Sequence, residues 1–397
     1  MENENCCSSR DTDERAKVVG ITTLKVKSKS INLPVFDEGN ACCSGGNDNC
    51  FEPITEYNLD DQWIIGEIKT DAGIVPQIST QIAFTDILGT WKVRWGIGRM
   101  NYKINPGIYA VGTPDCNSNV LVTANYKLTF DKLREELKGL NIWILVLDTK
   151  GVNVWCAAGK GTFGTQELIN RIIKTGLSEI VSHRTLILPQ LGAPGVMAHE
   201  VTRVTDFKIK YGPVRAADIK QYIHSGYTAT PEMREVGFTT KDRLILTPME
   251  ISASLKPLLI IFGLMFLINL VAINKFGLID FYASIGALLI GCVLTPVLLP
   301  WIPGRAFTFK GWILGLLWAV LLLLINGWPF TFGLLRGIAY LLILPSVSAF
   351  LAMNFTGSST YTSFSGVLKE MKTAVPMIFT TVGLGTIMLL ISCFVEF

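Results

Sequence analysis

In the first 250 residues apolar runs are short and separated by turn residues; beyond residue 254 they lengthen until they dominate. In the first part, 63–68 and 73–78 read as short strands around the turn Asp71-Ala72-Gly73. A helix or loop at 82–89 follows, then the segment 91–95, strands at 108–111 and 120–123, and a helix over 129–137 that Gly139 ends. The run 142–147 is apolar at every position, the pattern of a strand buried on both faces in a parallel sheet. Thr165 is the expected N-cap of a helix reaching Lys174, with Gly176 closing it. Strands at 185–188, 207–210 and 244–246, with a helix near 216–222, complete a strand–helix alternation that predicts a Rossmann-like α/β domain over 61–250.

From residue 254 the pattern predicts an all-α transmembrane domain of five helices, near 255–273, 281–299, 311–327, 332–353 and 375–394. Each is about long enough for a hydrocarbon core of roughly 30 Å. Arg305 and Lys310 lie in the second connection and Lys369 and Lys372 in the fourth, whereas the first carries only Lys275. That bias puts the even connections and the N-terminal domain in the cytoplasm, with the C-terminus outside the inner membrane. Arg336, just inside the fourth span, either snorkels outward or lines an internal polar site. Cys292 and Cys393 read as small apolar packing groups rather than metal ligands.

The net charge of +3 and the absence of a basic stripe exclude a nucleic-acid binder. Residues 1–15 are polar, without the apolar centre of a secretory signal. Residues 1–60 read as a weakly structured tail. Nine irregularly spaced cysteines argue for a reducing compartment and against a disulfide framework. Five of them, Cys6, Cys7, Cys42, Cys43 and Cys50, fall in the tail. Adjacent thiols suit a soft metal ion of low coordination number better than zinc or an iron–sulfur cluster. The alternative is a tail whose thiols have no role.

The richest chemistry follows the apolar run 142–147: Asp148, then a glycine-rich stretch from Gly151 to Gly164. Ligands of parallel sheets sit at the carboxyl ends of strands, where this stretch begins. A short helix here would put Asn153, Cys156, Ala157 and Lys160 on one face. Ala157, Ala158 and Gly159 would give a flat ligand clearance, Trp155 would anchor the segment in the core, and Asn153 would cap it. Gly159-Lys160 is not a phosphate-binding loop, because residue 154 is Val and residue 161 is Gly. His183, His199 and His224 lie in no protease or amidase context and read as structural. Thr123, Asn125, Asp148, Gly192 and Ala193, in or beside loops that follow strands, are candidates for lining a cofactor, as is the loop 211–215.

The segment Asn153-Val154-Trp155-Cys156-Ala157-Ala158-Gly159-Lys160 resembles, at every position, the cap-helix motif of HgcA, the family of mercury-methylating corrinoid proteins. That family joins a corrinoid-binding domain to a membrane domain, so the resemblance spans roughly residues 60–397. The corrinoid iron–sulfur protein of acetogens is more distantly similar, sharing the Ala-Ala-Gly-Lys part without the cysteine. The resemblance implies a cobalamin-like corrinoid whose cobalt takes Cys156 as its lower axial ligand. The usual Asp-x-His-x-x-Gly motif is absent. A thiolate is a soft, electron-rich donor, suited to passing a methyl group to Hg(II) as a carbanion equivalent; radical transfer stays open. Lys160 would bind a corrin amide or favour the thiolate by its charge. The resemblance names a small dicluster 4Fe–4S ferredoxin, HgcB, as electron donor, and analogy to the acetogenic pathway suggests a methyl-folate system as methyl donor. The expected activity is a corrinoid-dependent methyltransferase making methylmercury. The rival readings are a corrinoid methyl carrier of one-carbon metabolism and a membrane transport or sensor protein.

Overall fold

The run Ile142–Leu147 forms a strand with every residue buried, and a seven-stranded sheet is built around it. The computed structural model describes residues 54–58, 61–328, 333–359, 361 and 364–395. The tail cysteines Cys6, Cys7, Cys42, Cys43 and Cys50 lie outside them. The strands are β1 (Ile64–Thr70), β2 (Gly73–Ile78), β3 (Gly107–Val111), β4 (Val120–Ala124), β5 (Ile142–Leu147), β6 (Thr185–Leu188) and β7 (Lys208–Tyr211), in the order β1-β2-β3-β5-β4-β6-β7. β4 to β7 run parallel, as expected of a Rossmann-like sheet. The other half departs from that expectation. β1 and β2 form an antiparallel hairpin, and β3 is antiparallel to β5 while parallel to β2.

Helices cover both faces: α1 (Phe84–Arg94), α2 (Lys127–Glu136), α3 (Val154–Lys160), α4 (Thr165–Lys174), α5 (Leu177–Ile180), α6 (Ala198–Thr205), α7 (Ile219–His224) and α8 (Pro231–Arg234). Trp143, Leu145 and Leu147 of β5 join one core with residues of α3, α4, α5 and α6. Ile142, Ile144 and Val146 point to a second core containing Phe130 and Leu133 of α2 and Tyr222 of α7. The strand's apolar run thus reflects burial on both sides. Thr165 is the first residue of α4 rather than its cap; Gly164 is the cap, and the Thr165 hydroxyl accepts from Met197 N instead, at 2.8 Å.

Residues 91–94 belong to α1, which a buried ion network ties to α2. Asp86 receives Arg134 Nη2 at 2.6 Å and Lys127 Nζ at 2.7 Å. Asp131 receives Arg134 Nε and Lys127 Nζ, each at 2.8 Å. Arg134 Nη1 also donates to the carbonyls of Ser79 and Gln81. Burial pushes the Asp86 carboxyl up, but the Lys127 hydrogen bond and the two cations outweigh it and hold the group below 3.8. A depressed folded value means stability that is present above the unfolded value and lost as pH falls through the folded one. Amide-exchange protection of α1 should therefore fall below about pH 4 before that of β5 does, and Asp86→Asn should remove this selective acid response.

The run at 244–246, expected as a strand, is helical. Thr239 and Asp242 form a reciprocal capping box that starts a helix, α9, running unbroken from Thr240 to Ile268. A three-residue apolar run cannot distinguish the two states by periodicity. Among the described residues, α9 is the first of five helices long and apolar enough to cross a membrane. The others are Leu278–Leu298, Phe307–Ile325, Leu334–Asn354 and Phe364–Phe394. The first begins about four turns, and the last about three turns, before its expected start.

The third and fourth spans pack through small residues, a signal that sequence reading missed. A Cβ at Gly311 would lie 2.6 Å from Ala352 Cβ, and one at Gly315 would lie 2.8 Å from Pro345 Cα. Such close approach is how membrane helices associate when water supplies no driving force. Arg336 takes the internal polar alternative. Its Nη2 meets Asp280 Oδ1 at 2.7 Å, and Tyr340 also bonds that carboxylate. Cys292 and Cys393 are buried, in keeping with packing roles. Arg336→Ala leaves the Asp280 carboxylate buried without its cation, which should cost about 3–5 kcal/mol. Unfolding of the purified protein should show this loss, and adding Asp280→Asn should recover much of it.

Candidate functional site

The carboxyl ends of β4, β5, β6 and β7 share one edge of the sheet, because these strands are parallel. The chain leaving β5 there makes a tight turn. Lys150 and Gly151 have φ of 58° and 73°, both left-handed. A side chain at Gly151 would also press on the Met100 carbonyl, 3.2 Å from an added Cβ. The Asp148 carboxylate accepts from Lys150 N at 3.1 Å, an Asx-type turn that offsets the strain at Lys150. Burial pushes the Asp148 carboxyl up, but bonds from Lys150, with the charges of Lys150 and Arg171, hold it below the ordinary carboxylate range.

Asn125, the residue after β4, fastens this turn. Its Oδ1 accepts from Thr149 N at 3.1 Å, Thr149 Oγ1 at 2.9 Å and Gly151 N at 3.0 Å. Its Nδ2 donates to Asp148 Oδ1 at 3.2 Å. Asn125 is buried, with its Oδ1 taken up by three donors and its Nδ2 bonded to Asp148. It therefore positions the segment carrying Cys156 instead of offering a free group to a cofactor rim. Thr123 is buried within β4. Asp148 is partly open on its outer side.

The turn delivers the chain into α3. Asn153 caps it as expected, its side chain accepting from Cys156 N at 2.9 Å. Gly161, left-handed at φ 80°, ends the helix, with Thr162 N returning to Ala157 O. Val154, Ala157 and Ala158 form the buried stripe. The phase differs from the expected one. Ala157 and Ala158 face the core, not a ligand, and Trp155 is 45% exposed rather than a core anchor. The outward face is Trp155, Cys156, Gly159 and Lys160. Val154 fixes this phase by burying the position three before Ala157.

The loop after β6, Gln190–Gly195, lies directly behind α3. A Cβ at Gly192 would meet the Phe163 ring at 2.5 Å, and one at Gly195 would meet Phe163 O at 2.1 Å and Ala158 Cα at 3.1 Å. Tyr211, the last residue of β7, donates to Val196 O at 3.1 Å and holds this loop from the other side. Gly192 and Ala193 thus belong to the support of the cap helix. Its own chain fills the crevice that a parallel sheet usually offers, so the surface left for a ligand is the outer face of α3. Nothing lies within 4 Å of a Cβ built on Gly159.

Cys156 is an exposed free thiol at the centre of that face. Among the described residues no group of three or more His, Cys, Asp or Glu could hold a metal ion. His183 and His224 bond the carbonyls of Ser118 and Lys220, in keeping with structural roles.

Residues 86–223 match the family described as CO dehydrogenase/acetyl-CoA synthase delta subunit. The matched region runs from α1 through the cap helix into α7 and ends before the first span. Similar proteins include acetyl-CoA decarbonylase/synthase complex subunit gamma of Methanopyrus kandleri, 32% identical over 30% of this chain and 26% of that protein. The corresponding subunit of Methanocaldococcus jannaschii is 38% identical over 23% of this chain and 19% of its own. That of Archaeoglobus fulgidus is 29% identical over 32% and 27%. The chain spans well under a third of the length of these relatives. The matches support kinship with the corrinoid iron–sulfur group; the likeness to HgcA rests on the cap-helix motif and the spans.

Replacing Asn125 takes the acceptor from Gly151 N inside the protein and leaves Thr149 N and Thr149 Oγ1 with only the carbonyls of Leu147 and Val152. Asn125→Ala should destabilise the α/β part by about 2 kcal/mol, and hydrogen exchange should show the turn 148–152 and α3 loosening first. Asn125→Asp, which keeps the acceptor but sets it beside Asp148, should be no better tolerated.

Proposed function

We propose that this chain is a membrane-anchored corrinoid protein that takes up a methyl group and delivers it to Hg(II), forming methylmercury. One observation carries the reading: the exposed Cys156 thiol stands alone on an open helical face whose inner side is packed and capped. A corrinoid bound there supplies a cobalt centre able to carry a methyl group. Cys156 would hold the cobalt through its thiolate, and Gly159 would leave room beside it. Trp155 and Lys160, on the same face, would meet the ring edge and its amides. Asn153 and Asn125 act through position, holding the Cys156 backbone and the turn before it.

The thiolate fits an electrophilic acceptor. As a strong donor it would favour release of the methyl group with its electron pair to Hg(II), an electrophile; transfer as a radical is the alternative. The chain has no C-x-x-C spacing for an iron–sulfur cluster, so electrons come from a separate protein. A small dicluster ferredoxin fills that role in this proposal, and a methyl-folate system is the methyl source. The positive residues Arg305, Lys310, Lys369 and Lys372 support a cytoplasmic α/β part.

A second reading has its own support. The comparisons favour a corrinoid methyl carrier of one-carbon metabolism more directly than mercury as acceptor, because the relatives are named as acetyl-CoA decarbonylase/synthase subunits. Cys156 separates the two. In the absorption spectrum of the full-length, corrinoid-loaded protein, Cys156→Ala should abolish a sulfur–cobalt feature, and methylmercury formation should fall to background. A variant with an unchanged spectrum and unchanged mercury methylation would remove the thiol from the mechanism. A wild type that binds corrinoid and accepts a methyl group, yet never passes it to Hg(II), would leave the carrier reading standing.

A further inference from the structure

Helix α1 is inside out for a water-facing helix. Its buried positions are Asp86 and Val93. On the outer side Phe84, Ile87, Leu88, Trp91 and Trp95 are all exposed, Phe84 at 71% and Trp91 at 58%. Their spacing of three, one, three and four makes one continuous stripe along the helix. The apolar surface continues past the helix end in Ile97 and Met100. Lys92 and Arg99 are exposed beside it.

The helix is also tied to the first span. Arg94 Nη1 donates to Ile245 O at 3.5 Å. A Cβ at Gly96 would lie 3.6 Å from Met249 Sδ and 3.7 Å from Ser252 Oγ. The exposed apolar run of α9 begins at Leu255, with Leu259 and Ile260 following. Ser252 and Met249 lie three and six residues before Leu255, about 4.5 and 9 Å along a helix. The polar boundary on each side of a bilayer is on the order of 5–8 Å thick. The end of α1 therefore touches α9 within the headgroup level and at its outer edge. Tryptophan is the residue most at home at that depth, its ring apolar and its N–H wet.

We infer that α1 is an interfacial helix whose stripe of Phe84, Ile87, Leu88, Trp91 and Trp95 lies in the headgroup–acyl boundary of the bilayer that α9 crosses. Lys92 and Arg99 meet lipid phosphates at its edge. The inference rests on α9 spanning the membrane and is independent of the corrinoid and of mercury.

The test uses the full chain reconstituted in phosphatidylcholine vesicles. Tryptophan emission of wild type minus that of the Trp91→Phe/Trp95→Phe double variant isolates the two side chains. Single variants repeat the subtraction if the double one unfolds. Lipids brominated near the headgroup end of the acyl chain should remove most of the difference emission, and aqueous iodide should remove little. Quenching of Trp312 and Trp318, in the third span, by deeply brominated lipid reports insertion and so tests the membrane reading separately. Difference emission quenched by iodide alone would overturn the inference, because the stripe would then face water. Quenching by neither would overturn it too, placing a protein surface, such as a second copy, over α1.

Discussion

The hydrogen bonds between Asn125 and the turn leaving β5 are the constraint on which the candidate site depends. Two left-handed residues in succession, one of them a lysine, do not hold that shape by local preference alone. The side chain that holds them comes from the neighbouring parallel strand, so the turn forms only once β4 and β5 are paired. Everything beyond it inherits that geometry: the capped start of α3, its buried stripe, and the outward thiol. The site is thus an outcome of sheet formation, although the residues that bear its chemistry are contiguous in sequence.

This arrangement would let a lone cysteine carry the role proposed for it. An exposed thiol on a mobile loop would be an indiscriminate nucleophile. Here the backbone of Cys156 is held by the Asn153 cap, and the side of the helix away from the thiol is packed on Phe163 and the loop behind it. Only one coordination direction is left open. The similarity to acetyl-CoA decarbonylase/synthase subunits covers this framework, while the cysteine sets the chain apart from the pattern expected of the acetogenic relative.

Legibility in the sequence followed the range of the interactions involved. The apolar run of β5 and the Asn153 cap are local signals, and both lie where the sequence placed them. The direction of β3 is not local: it depends on how the chain returns after α1, and a parallel neighbour for β5 was the wrong expectation on that side. The phase of α3 is not legible from its small residues, because the burial of Val154 decides which of them turn inward. Asn125 is legible as a polar residue following a strand, but its bonds to the turn of its own chain arise only where β4 pairs with β5. Asp280 could not be paired with Arg336 from sequence, since 56 residues separate them.

The continuity of α9 changes how the α/β part can move. Domains anchored through a loose linker explore a hemisphere above the membrane. Here the same helix begins at a capping box beside Arg215, which pairs with Asp242, and runs on into the apolar span. With Gly96 and Arg94 bracing it from α1, few rotational freedoms remain. In a bilayer the cap-helix face would then be held at a nearly constant height and tilt, and encounters with a partner would become a problem of lateral diffusion and of azimuth about one axis. An electron donor confined near the same surface would search two dimensions rather than three, while a freely soluble one would have to approach within a restricted cone.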